Sequence, residues 1–220
     1  MKKFLFSVCA VLAILSCGDD DEYKGSAGYT GSYGSVEYGA QTYKTVKIGA
    51  QTWFAENLNY NVEGSRCYDN DPDNCAKYGR LYDWSAAMAV CPPGWHLPDN
   101  DDWDELFRYV DSQNNGDGSS GNPYDSFTAG RYLKATSGWN DNEGQSVGGN
   151  GTDDYGFSAL PGGDGHSDGS FSSIGYFGGW WSASESNGYA CYRVMVFSLE
   201  YAYHSCYNKS NLFSVRCFQG

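Results

Sequence analysis

Basic side chains are scarce in this chain of 220 residues: 14 Lys and Arg face 27 Asp and Glu, a formal net charge of −13. That balance excludes an ordinary nucleic-acid binder, which neutralises phosphates with basic patches. Histidine is nearly missing, with three residues, His96, His166 and His204, set far apart. Apolar content is only 40% and the mean hydropathy is −0.56, which excludes a multispanning membrane protein. Six prolines are too few for a collagen-like chain despite 29 glycines. What the chain has is rings: 19 Tyr, 11 Phe and 7 Trp. These can bury a large area, so the whole is not disordered. Many Gly and Tyr with few Lys, Leu and Ala predict a loop-rich, mostly β domain.

The one long apolar run is at the start. Met1-Lys2-Lys3 is followed by Phe4 to Leu15 and then Ser16-Cys17. A basic start, an apolar run of about a dozen residues and a small residue before cysteine make a secretion signal, too short to span a bilayer comfortably. Ile14-Leu15-Ser16-Cys17 resembles a bacterial lipobox, which implies cleavage before Cys17 and its lipidation; the alternative is an ordinary signal cut elsewhere. Acyl chains on Cys17 would hold the protein in outer-membrane lipid. Gly18-Asp19-Asp20-Asp21-Glu22 resembles the acidic tag that sends some lipoproteins of Bacteroidetes-like bacteria to the outer face of the outer membrane, against the simpler reading of a solvated spacer. Loss of residues 1–16 removes two lysines and leaves 12 basic against 27 acidic residues, a charge of −15.

Beyond Cys9 and Cys17 there are six cysteines, an even number in an exported chain, and three disulfides are the expectation. Cys67 and Cys75 bracket a turn-rich loop and can close it. Cys191 and Cys206 lie symmetrically about Ser198-Leu199 and would face each other across a hairpin. Cys91 and Cys217 are left as a bridge from mid-chain to the last strand. Zinc is the competitor, but no Cys-x-x-Cys spacing and no flanking His support it.

Residues 17–40 show no hydrophobic period and are expected to be an acidic, Gly/Ser-rich tether. The domain, residues 41–220, opens with strands at 43–48 and 51–55 joined at Gly49-Ala50. Leu81, Trp84, Met88 and Cys91 have helical spacing, stopped by Pro92-Pro93. Asp99 is an N-cap with Asp102 at N3, and Trp103, Leu106, Phe107 and Val110 follow at i, i+3, i+4 and i+7. A weaker helix covers 125–135. Residues 137–188 are rich in Gly, Asn, Asp and Ser and are expected to be an ordered irregular region. Strands near 190–197, 201–207 and 212–218 close the chain.

Six segments carry a resemblance. They are Val46 to Tyr60 (with Gln51-Thr52-Trp53-Phe54-Ala55-Glu56-Asn57-Leu58), Tyr78-Gly79-Arg80-Leu81-Tyr82-Asp83-Trp84, Cys91-Pro92-Pro93-Gly94-Trp95-His96-Leu97-Pro98, Gly156-Phe157-Ser158-Ala159-Leu160-Pro161-Gly162-Gly163, Trp181-Ser182-Ala183-Ser184 and Ser214-Val215-Arg216-Cys217. In this order they resemble the Fibrobacter succinogenes major paralogous domain, a family of bacterial surface lipoproteins without a defined function. More distantly, Gly94 to Pro98 before an acidic capped helix, and Val215-Arg216, are similar to formylglycine-generating enzymes. That likeness implies an α+β, C-type-lectin-like fold: a twisted antiparallel sheet, two or three short helices and a long irregular loop region. The Cys91–Cys217 bridge is similar to the helix-to-last-strand disulfide of such domains.

An enzyme would need a nucleophile, a base or a redox metal. The thiols of Cys191 with Cys206 or Cys217 could mimic the reactive pair of formylglycine-generating enzymes, but structural disulfides suit an oxidising compartment better. Calcium is the one metal weighed: Asp141, Asn142, Asn150, Asp153 and Asp154 could supply some of the roughly six to eight oxygens it takes. Turn-making explains the same residues and is preferred. For binding, Trp139, Tyr176, Trp180 and Tyr189 are the candidate sugar platforms, with Trp139 and Tyr176 expected to be exposed. The resulting expectation is a lipid-anchored, outward-facing surface protein, a non-catalytic binding or adhesion module with extracellular polysaccharide or protein as the candidate partner and no catalytic residue. An oxidase or modifying enzyme is the alternative.

Overall fold

A computed structural model describes residues 28–114, 125–141 and 148–220. It is an α+β fold of antiparallel sheets and four short helices among the described residues. The first sheet has the order β1-β2-β3-β11, from Gly34–Tyr38, Gln41–Ile48, Gln51–Phe54 and Phe218–Gln219. The second, β10-β9-β8, is built from Phe177–Ser186 (β8), Tyr189–Val196 (β9) and Ala202–Tyr207 (β10). Two small ribbons pair β4 (Ser65–Arg66) with β5 (Leu81–Tyr82), and β6 (Asp164–Gly165) with β7 (Phe171–Ser172). The helices are α1 (Pro72–Tyr78), α2 (Trp84–Ala87), α3 (Asn100–Gln113) and α4 (Ala129–Leu133).

The expected β2–β3 hairpin forms, and Gly49 turns it with a φ of 61°. The expected capping box also forms. Asp99 Oδ1 accepts from the Asp102 amide at 3.0 Å, and Asp102 Oδ2 accepts from the Asp99 amide at 2.9 Å. It satisfies amides that the first helical turn cannot pair. Three expectations are corrected. Residues 34–38 are not tether but strand β1, paired along its length with β2. The 81–90 helix is split into β5 and the four-residue α2, because Tyr82 pairs with Phe213 instead of continuing a helix. The stretch 137–188 contains the whole of a ten-residue strand, β8.

That strand divides the interior. Trp180 packs with Trp53, Trp103, Phe107 and Phe157 in one apolar cluster. Its neighbour Trp181 packs with Tyr82, Phe213 and Val215 in another. Successive strand residues point to opposite faces, so one strand serves both cores. β3 repeats the device with Trp53 and Phe54. A strand buried on both faces shows no polar alternation, which explains how β8 escaped a period-based reading.

All three expected disulfides are present: Cys67–Cys75, Cys91–Cys217 and Cys191–Cys206. Cys191 and Cys206 are register partners on β9 and β10. At the turn of that hairpin lies the buried Lys134, whose ammonium donates to the carbonyls of Val196 at 3.2 Å and Leu199 at 3.0 Å. Burial pulls it down from 10.5 to about 8, with Glu200 opposing. A lysine depressed on folding contributes stability that is fully present above its unfolded value and lost as pH falls through its folded one. Urea denaturation of the native chain should therefore show stability rising between pH 8 and 10 by on the order of 2 kcal/mol. In Lys134→Met the lysine's share of that rise should be lost, leaving a smaller one from the buried Arg216, and an unchanged slope would remove the assignment.

Candidate functional site

The four candidate platforms do not meet. Trp139 is a correction: only 4% of it is exposed, its ring packs in the first core, and its indole donates to the Ala159 carbonyl at 2.9 Å. Lys134 covers the ring, 5.1 Å from its centroid. Trp180 is fully buried and donates to Asn57 Oδ1 at 2.9 Å. Tyr176 and Tyr189 are 49% and 53% exposed. They sit at opposite ends of the ten-residue β8, which separates them by roughly 30 Å.

The oxygen ligands weighed for calcium are spread out as well. Asp141 and Asp154 are exposed, and Asn142 lies outside the described residues. Asn150 Oδ1 accepts from the Trp139 amide at 3.0 Å. Asp153 is buried at a φ of 50°, with one oxygen on the Ser158 amide at 2.7 Å and the other on the Ser158 hydroxyl at 2.6 Å. These contacts make turns, and among the described residues no group of three His, Cys, Asp or Glu converges as a metal site. The cysteines weighed as a reactive pair are joined to partners as disulfides. His96 exchanges backbone hydrogen bonds with Phe218 and tethers β11.

What the fold does bring together is a cleft of about 400 Å³ between the first half of β2 and the C-terminal end of α1. Three of the six segments quoted above meet there: Ala55, Glu56, Asn57 and Asn59; Tyr78 and Gly79; Ser158 and Leu160. Gly79 is required at the junction. Its φ is 76°, and a Cβ there would stand 2.7 Å from Asn57 Cβ and 2.9 Å from two backbone oxygens.

The floor is rigid because it is the outer skin of a buried polar knot. Asn57 Nδ2 donates to the Tyr78 carbonyl at 2.8 Å, and Asn57 Oδ1 accepts from Arg216 Nε at 2.8 Å as well as from Trp180. Arg216, wholly buried, also donates to the carbonyls of Phe54, Phe157 and Ser158. Burial pushes its guanidinium down to about 9, opposed chiefly by Asp153, so it stays charged at neutral pH.

The walls are polar and wet. Lys44 stands 5.5 Å over the Tyr33 ring and Lys77 4.6 Å over the Tyr78 ring. Glu56 accepts from the Lys44 amide at 2.9 Å. The Tyr43 hydroxyl donates to Gln41 Oε1 and accepts from the Asn59 amide at 3.2 Å. Burial raises the phenols of Tyr33 and Tyr43, which keeps them neutral. The cleft thus offers two ammonium groups, three amides, one carboxylate and neutral phenols, a set that hydrogen-bonds a polyhydroxylated ligand. Sequence reasoning singled out none of its lysines. The signal was the polar Glu56, Asn57 and Asn59 inside an otherwise core-forming segment.

A sequence model of the family described as the Fibrobacter succinogenes major domain matches residues 46–219. No curated protein and no solved structure matches the chain.

Proposed function

The chain belongs to the Fibrobacter succinogenes major domain family, and from that premise we propose that it is a non-catalytic binding module, lipid-anchored through Cys17 and facing outward from the outer membrane. The cleft between β2 and α1 holds its ligand, a polyhydroxylated glycan. The arrangement of sheets and helices is, in this reading, a C-type-lectin-like one. The observation that carries the proposal is the convergence of three family segments on one polar cleft with a rigid floor. A preorganised wall lowers the entropy lost on binding. The closed disulfides support a scaffold rather than the oxidase alternative, which would need free thiols.

Fluorescent polysaccharides offered to intact cells test the binding, the anchor and the cleft. Cells making the full chain should retain at least one neutral polysaccharide. Cells making Cys17→Ala should not. Lys77→Ala should weaken retention about tenfold, the scale of one charge-assisted hydrogen bond. No retention of any glycan by the native chain would overturn the proposal.

A further inference from the structure

A second cleft, of about 450 Å³, opens beyond the Cys67–Cys75 bridge, with Cys75 lining the first cleft and Cys67 the second. Its charge is opposite to that of the protein as a whole. Arg66 and Arg80 line it against one carboxylate, Asp83, in a chain of net charge −13, while His166, also in the lining, stands 3.4 Å from Asp164 Oδ2. Asp83 is engaged elsewhere, as its Oδ1 caps α2 by accepting from the Ala86 amide at 2.8 Å. Asp164 and Asp168, near His166, are likewise engaged, with the Ser172 hydroxyl at 2.9 Å and with the amide and hydroxyl of Ser170.

The arginines are held differently. Arg80 Nε donates to the Ser65 hydroxyl at 2.9 Å, which fixes the plane of the guanidinium. Its Nη1 finds only the sulfurs of Cys67 and Cys75, each at 3.5 Å, and disulfide sulfur is a weak acceptor. Arg66, on β4 and exposed, has no carboxylate within ion-pair distance among the described residues. Acids outnumber bases about two to one here, so an arginine without an acid beside another arginine is an unusual local excess. Guanidinium forks match planar or tetrahedral oxyanions in geometry as well as charge.

We propose that this cleft is an anion subsite that takes a carboxylate or sulfate group, presented on an acidic saccharide. It rests on the binding-module reading only for the saccharide; the oxyanion chemistry stands on the arginines. Arg80 positions and Arg66 closes on the ligand.

Calorimetry on the full chain tests it with three probes: trigalacturonate, its neutral methyl ester and sodium sulfate. Trigalacturonate should bind at least about tenfold more tightly than the ester, the minimum expected of one charge-assisted contact. Arg66→Glu should lower its affinity by about tenfold or more while leaving the melting temperature in place, and Lys47→Ala, an exposed lysine outside both clefts, should leave it unchanged. Sulfate binding as tightly as trigalacturonate, with the same Arg66 dependence, would assign the subsite to a free oxyanion and overturn the saccharide. Equal affinity of the native chain and Arg66→Glu for all three probes would overturn the subsite, whatever neutral glycans do on cells. Arg66-dependent sulfate binding without any glycan retention would overturn the binding-module reading and leave the oxyanion site standing.

Discussion

Arg216→Met should destabilise the protein by about 3–5 kcal/mol, the range seen when one partner of a buried charged network is removed. The arithmetic is one of orphaned groups. Arg216 is wholly buried and donates to Asn57 Oδ1 and to the carbonyls of Phe54, Phe157 and Ser158. Met fills much of the volume but donates nothing, so buried acceptors lose their partner at about 1–3 kcal/mol for each that water cannot reach. Asp153 is buried too and would lose its opposing charge. Relaxation and water entry keep the total below a plain sum. Arg216→Lys keeps a charge but not the fork, and should lie between the two. Urea denaturation followed by tryptophan fluorescence reads the effect. A loss under about 1 kcal/mol for Arg216→Met would mean that the knot is not what holds Asn57, β3 and the 157–158 segment together.

The paired replacement Cys91→Ala with Cys217→Ala should cost about 5 kcal/mol. The bridge spans 126 positions, and cross-linking so distant a pair removes many unfolded conformations. The same entropy model gives only about 2–3 kcal/mol for the Cys67–Cys75 bridge, whose separation is 8. The two double variants should therefore differ about twofold in their loss. Alanine is the replacement of choice, since Cys217 is fully buried and a serine hydroxyl there would add a desolvation cost of its own. Equal losses from the two double variants would show that native-state strain or denatured-state structure, not loop closure, sets the contribution.

What the sequence disclosed was what depends on near neighbours. The Asp99–Asp102 box, the Gly49 turn and the face-to-face cysteines of β9 and β10 are each set by local spacing, and each is present. The helix α1 was also legible, since Asp71 caps it and Pro72 opens it. Proline and aspartate also favour turns, and on that ground the sequence makes this stretch a turn-rich loop. β8 failed for a different reason: Gly178, Gly179, Trp180, Trp181 and Ser182 are all buried, so no polar face marks the strand. The pattern near 212–218 predicts one strand, yet β11 is only Phe218–Gln219. Ser214 and Phe213 bridge to β8 and β5 instead, and Arg216 turns inward to the knot. Trp139 shows the limit most plainly. Polar neighbours in sequence suggested exposure, but its surroundings in space are Lys134 and the Ala159 carbonyl, contributed from other parts of the chain. Both clefts share this property, because Lys44, Lys77, Arg66 and Arg80 acquire their meaning only when distant segments meet.

Strand β1 has a mechanical consequence. It lies at a sheet edge with β2 as its one neighbour, while every disulfide among the described residues begins at Cys67 or later. Just ahead of it, Tyr29 rests so closely on Gly156 that a Cβ there would stand 2.6 Å from the ring. A pull applied to the N-terminal end therefore strains ring contacts and one ladder of hydrogen bonds before it reaches any sulfur. Residues 28–38 peel away first, and the cross-linked remainder stays folded. Because Tyr33 walls the first cleft, shear on the leading segment opens that wall long before it unravels the protein.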